Sequence, residues 1–157
     1  MKFCRGYTVL EVLVSLSLST VLLIAVGQVF NSAQDIFNTN NHQLSLRTEL
    51  RRALLQISQE IREGSPDHAI QISDGQIQIE VAPDWTPVTY SLNGGNQLVR
   101  TVNGQSRVVG NNVQAFVPTY NAATDPRSVF IRITGQRATA KPRNITETIA
   151  AQITLRN

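Results

Sequence analysis

Hydrophobic positions run without interruption near the start of the chain and then change period twice. Residues 6–26 form an apolar run that contains one acidic residue, Glu11. Residues 12–30 carry no charge; as a helix they reach ~28 Å, close to the ~30 Å hydrocarbon thickness of a bilayer. Residues 31–63 read as a continuation of that helix. Leu46, Leu50, Leu54, Ile57 and Ile61 fall on one helical face, and Leu44, Ala53 and Leu55 widen it. The tract 38–41, Asn-Thr-Asn-Asn, has poor helix propensity and predicts a kink or a melted segment. Gly64 followed by Pro66 is a stop signal.

Beyond Pro66 the period becomes two. Alternation predicts strands at 69–72 and 76–81 around an Asp74-Gly75 turn. Further strands are expected at 87–92, 97–102, 106–109, 113–120, 128–134 and 145–155. The turns Asn93-Gly94-Gly95 and Asn103-Gly104 separate the earlier ones. Residues 121–127 read as a polar loop and 135–144 as a basic, mobile loop. These strands, joined mainly by hairpins, predict a largely antiparallel sheet. Its apolar face needs a cover, and the stripe from Leu46 to Ile61 provides one. The expected fold class is therefore α+β: a long N-terminal helix whose first half spans a membrane and whose second half packs on an antiparallel β-sheet head.

Composition adjusts this picture only slightly. The chain has 157 residues, with 41% hydrophobic and 16% charged, the latter well below the globular norm. The net charge is +3, but Lys2 and Arg5 precede the apolar run. Without them, Lys+Arg falls from 14 to 12 against 11 acids, leaving +1, so the basic balance says little about nucleic acid. The single cysteine, Cys4, excludes an intramolecular disulfide. It reads as an incidental residue of a short leader. Lys2 and Arg5 on one side, with Asp35 the first charge on the other, place Met1 in the cytoplasm and the body outside.

Enzyme signatures are absent from the sequence: no G-x-S-x-G, no H-E-x-x-H and no glycine-rich phosphate loop. Gly94, Gly95 and Gly104 are turn residues. His42 and His68 lack the spaced partners of a metal set, so neither a metal nor a cofactor is expected. Arg47, Arg51 and Arg52, next to Glu49, read as a solvated helix face with local ion pairs. Trp85, between Pro83 and Pro87, reads as a packing aromatic rather than a sugar or partner contact.

Glu11 remains. An acid at the centre of a spanning helix costs about 2.5–3.5 kcal/mol, so an intramembrane carboxylate needs a partner. The leader MKFCRG, followed by Tyr7-Thr8-Val9-Leu10-Glu11, resembles the class III leader of type IV pilins and type II secretion pseudopilins. The resemblance implies cleavage after Gly6 and N-methylation of Tyr7 by a prepilin peptidase/methyltransferase. Glu11 then stands fifth in the mature chain. It implies a filament-assembly role in which Glu11 neutralises the free amine of a neighbouring subunit; pairing with the amine of its own Tyr7, one helical turn away, is the local alternative.

The resemblance also implies a domain plan: leader 1–6, membrane and assembly half of the helix 7–30, extracytoplasmic amphipathic half 31–63, and β-rich head 64–157. Partners would be other pilins or pseudopilins through the helix, and an assembly platform in the cytoplasmic membrane. A proline that kinks many major pilins is replaced here by Gln28. Residues 90–104, YSLNGGNQLVRTVNG, are similar to the heads of PilW-type minor pilins and J-type minor pseudopilins. Both features point to a minor subunit that primes or caps a filament.

Two alternatives stand beside this reading. One is a competence pseudopilin in DNA uptake, with Arg132, Arg137, Lys141 and Arg143 on phosphates. The other is an exported binding protein cut by ordinary signal peptidase after Gly27, where Ala25-Val26-Gly27 offers a small-x-small site.

Overall fold

The computed structural model describes residues 8–64, 70–73, 75–122, 125–139 and 144–155, and the side chains of these except 121, 122 and 125–127. One helix, α1, runs Val9–Glu63. Among the described residues eight strands follow: β1 Gln71–Ser73, β2 Gln76–Val81, β3 Thr86–Leu92, β4 Leu98–Val102, β5 Gln105–Gly110, β6 Val113–Ala122, β7 Asp125–Ala138 and β8 Asn144–Thr154. They form two antiparallel sheets, one ordered β1-β2-β3-β4-β5 and one ordered β6-β7-β8. The class is α+β as expected, with two sheets in place of one and a strand at each of the eight expected segments.

The chain divides into two compact units, Met1–Asn40 and Asn41–Asn157. The boundary falls inside the Asn-rich tract, yet residues 38–41 are helical, neither melted nor interrupted. In the first unit every described apolar side chain from Val9 to Phe30 is exposed. Its hydroxyls satisfy themselves within the helix. Ser15 donates to the Glu11 carbonyl at 2.7 Å, Ser17 to Val14 at 2.8 Å, Ser19 to Ser15 at 2.8 Å and Thr20 to Leu16 at 2.8 Å. Such back-bonding removes the penalty for an unpaired donor in hydrocarbon. α1 is long and apolar enough at its N-terminal end to cross a membrane once.

In the second unit the predicted stripe is the core. Leu46, Leu50, Ala53, Leu54, Ile57 and Ile61 are buried on α1. They pack in one cluster with Ile77, Ile79, Val88 and Leu98 of the first sheet and Val113, Val129, Ile131, Ile133 and Ile153 around the second. Leu44 and Leu55 do not join them; both stay about 60% exposed (61% and 60%). The stripe is narrower than its sequence pattern because six inward positions already cover the sheets.

The expected basic loop at 135–144 is a second correction. Gly135 to Ala138 continue β7 and pair with Glu147 to Asn144 of β8. Gly135 does not break the strand there. It admits the helix, since a Cβ at this position would lie 3.0 Å from Leu46 Cδ1 and from both Leu50 methyls. The polar loop at 121–127 is also shortened, because β6 and β7 reach Ala122 and Asp125. Turn chemistry holds elsewhere: Asn103 (φ 50) and Gly104 (φ 76) are both left-handed, as a two-residue hairpin of this type requires. The two sheets are tied by Tyr120 of β6, whose hydroxyl donates to the Ile70 carbonyl at 2.6 Å and accepts from the Ile72 amide at 3.2 Å.

Candidate functional site

The helix start is built by Thr8. It precedes the first helical residue, and its Oγ1 accepts from the Glu11 amide at 3.3 Å. The Thr8 carbonyl accepts from Glu11 at 3.1 Å and Val12 at 3.2 Å. Thr8-Val9-Leu10-Glu11 thus has the spacing of a capping box, with the acid in the third helical position. A carboxylate in the first turn is also favoured by the helix dipole. Glu11 is exposed and has no charged side-chain partner among the described residues. Gly6 and Tyr7, the expected cleavage and methylation residues, lie outside the described residues, as do Cys4, His68, Lys141 and Arg143.

The capping role of Thr8 is legible in the sequence, because the T-x-x-E spacing precedes an apolar run. The bond uses the Glu11 amide, and among the described residues the Glu11 carboxylate itself makes no hydrogen bond.

Within the second unit the polar groups with geometry lie elsewhere than the sequence suggests. Glu49 does not pair with Arg47, Arg51 or Arg52. It accepts from the Asn111 amide and from Asn111 Nδ2, each at 3.0 Å, and so holds the β5–β6 turn against α1. The three arginines are exposed and form no ion pair among the described residues. Arg132 stacks over Phe130, 5.7 Å from the ring centroid, and Arg137 donates to Ser45 Oγ at 3.3 Å. Trp85 is 40% exposed at φ 50, in the turn between β2 and β3.

One partly buried ionic cluster has no sequence signal. Arg100 of β4 donates through Nε to both oxygens of Glu60 on α1, at 2.8 and 3.1 Å. Tyr90, opposite Arg100 in the β3–β4 register, is fully buried. Its hydroxyl lies beside Glu60 but outside hydrogen-bond geometry. Burial, then Glu60, pushes the Tyr90 phenol far above its ordinary value. Burial would lower Arg100, but Glu60 more than offsets it, and the guanidinium is raised. Both groups keep their neutral-pH protonation states. The cluster fastens the helix to the first sheet and presents no open reaction centre.

Among the described residues no three His, Cys, Asp or Glu side chains gather as a metal set. No protein-family model, no curated protein and no solved structure matches this chain.

Proposed function

We propose that this chain is a non-enzymatic filament subunit of the type IV pilin and type II secretion pseudopilin kind. In this reading it is cut after Gly6, N-methylated on Tyr7, and held in the cytoplasmic membrane by the start of α1 with its β head outside. It then enters a pilus or pseudopilus as a minor subunit that primes or caps the fibre. The observation that carries the reading is Glu11: one carboxylate in the first turn of a helix that is otherwise uncharged until Asp35. The short basic leader in register with it, and an α+β head packed on the same helix, support it further.

Two opposite charges 4 Å apart attract by ~4 kcal/mol at an effective dielectric of about 20, before desolvation. That is enough to favour docking of Glu11 on a free amine over an unpaired carboxylate in lipid. The Thr8-x-x-Glu11 spacing supplies a sharp test. Gln serves as well as Glu at the third position of a capping box, whereas Val does not. Processing of both Glu11→Gln and Glu11→Val chains should persist. Incorporation into filaments should fall with both, because both remove the charge. Filaments that form normally with Glu11→Gln and fail only with Glu11→Val would assign Glu11 to helix capping and overturn the docking role.

A further inference from the structure

The four outer strands of the two sheets differ in how they are protected. β1 is three residues long and held by Tyr120. β5 meets its neighbour with a register shift at Leu98/Val99 and carries Arg107. β6 has two register shifts and contains Pro118. β8 has none of these devices, and its one charge, Glu147, stands on the half-buried face. It pairs with β7 over all 11 of its residues without a shift, and it contains no Pro, Gly, Lys or Arg. Its other edge has no strand neighbour among the described residues. Long, regular edges without such devices are templates for strand addition, and folded proteins usually blunt them.

The surroundings of β8 say what would fit. Ile145, Glu147, Ile149 and Ala151 lie on its half-buried face, and Ile153 is buried. Beside Ala151, Gln152 and Ile153 an open groove of about 840 Å³ separates β8 from α1; its helix lining includes Arg51, Leu54, Leu55, Arg62 and Glu63, the last held by Gln59. The exposed Leu55 belongs to this groove. Glu147 accepts a hydrogen bond from Gln43 and has no cationic partner among the described residues; Arg51 likewise has no ion-pair partner among them.

We propose that a second copy of this chain pairs antiparallel along β8, joining two three-stranded sheets into one of six, with Glu147 of each copy entering the groove beside Arg51 of the other. The inference rests on the head alone and is independent of the filament reading. The register follows from the sequence of β8. Placing Ile149 opposite its own counterpart pairs the whole strand. On the half-buried face Ile145 meets Ile153 and Glu147 meets Ala151; on the exposed face Asn144 meets Thr154, Thr146 meets Gln152 and Thr148 meets Ala150. Ile faces Ile, the polar residues mostly face polar ones, and no like charges oppose. Centring on Glu147 would set two carboxylates face to face, which is destabilising. Because Ala151 lines the groove, the symmetric register brings the second copy's Glu147 to the Arg51 side and its Ile145 towards Leu54 and Leu55. An unrelated apolar strand would instead leave Glu147 unpaired, so the acid selects for a partner that can place it against an arginine.

The test is register-specific crosslinking of the full chain in detergent micelles, with Cys4→Ser removing the natural thiol. Ile149→Cys should give disulfide-linked dimers at least tenfold above Ser106→Cys, which reports the outer strand β5 of the first sheet. Adding Thr148→Lys and Ala150→Lys sets lysine against lysine twice across the pair and should reduce the dimer linked through position 149 at least tenfold. Mixing that chain with one carrying Ile149→Cys, Thr148→Glu and Ala150→Glu should restore it, which also shows that the lysine chain is folded. Crosslinking at 149 no greater than at 106, or dimers that survive the lysine pair because the apolar helices hold them, would overturn the proposal.

Discussion

Arg100 Nε lies 2.8 Å from Glu60 Oε1 and 3.1 Å from Oε2, although the two residues are 40 positions apart in the chain. Side-chain exposures of 27% for Arg100 and 13% for Glu60 put the pair at the edge of the core, where water screens it only in part. Removing one partner strands a partly buried charge, which costs more than removing both. Arg100→Met should lower unfolding free energy by about 2–3 kcal/mol, and Arg100→Met with Glu60→Gln by clearly less. Urea denaturation of the two variants beside the parent checks the order.

Tyr90 sets an alkaline limit. In the unfolded chain its phenol ionises near pH 10. In the fold, burial and then Glu60 raise that value, so the hydroxyl stays protonated. Its contribution is complete below about pH 10 and is lost as pH rises further, at about 1.4 kcal/mol per pH unit for one group. Tyr90→Phe should be near neutral at pH 7, since the hydroxyl makes no hydrogen bond among the described residues. It should flatten the decline of stability above pH 10. Denaturation curves at neutral and alkaline pH read both effects.

At Gly135 the side chains of α1 press on the backbone of the second sheet. A Cβ there would lie 3.0 Å from Leu46 and Leu50 methyls, which leaves no room for a branched side chain. Gly135→Val should destabilise the head by about 1–3 kcal/mol through overpacking, despite the higher strand propensity of Val. Leu50→Ala in the same chain should recover part of the loss, measured by thermal unfolding.

These contacts also mark where reading the sequence stops. Periodicity locates α1 and its buried face, because Leu46, Leu50, Leu54, Ile57 and Ile61 recur at helical spacing. Asn103-Gly104 announces its hairpin, because few other dipeptides take left-handed conformations at both positions. Gly135 reads as a loop residue because a glycine that opens a turn and one that admits a helix look alike in one dimension. Spacing alone assigns Leu44 and Leu55 to the core, and only the sheets decide how wide a stripe they cover. Glu60 and Arg100 have no local pattern; their pairing exists only once β4 lies under α1. The division into two sheets is hidden because hairpin signals give neighbours in sequence and not the point where a sheet ends. Thr8 to Glu11, by contrast, is local, and its capping geometry follows directly from spacing.

The mature N-terminus tests the filament reading most directly. Intact-mass and terminal-peptide mass spectrometry of the chain purified from cells with a prepilin peptidase should find it beginning at N-methylated Tyr7, with Glu11 fifth. A chain beginning at Gln28, after ordinary signal-peptidase cleavage, would have lost Glu11 and the span with it, and would contradict the proposal outright.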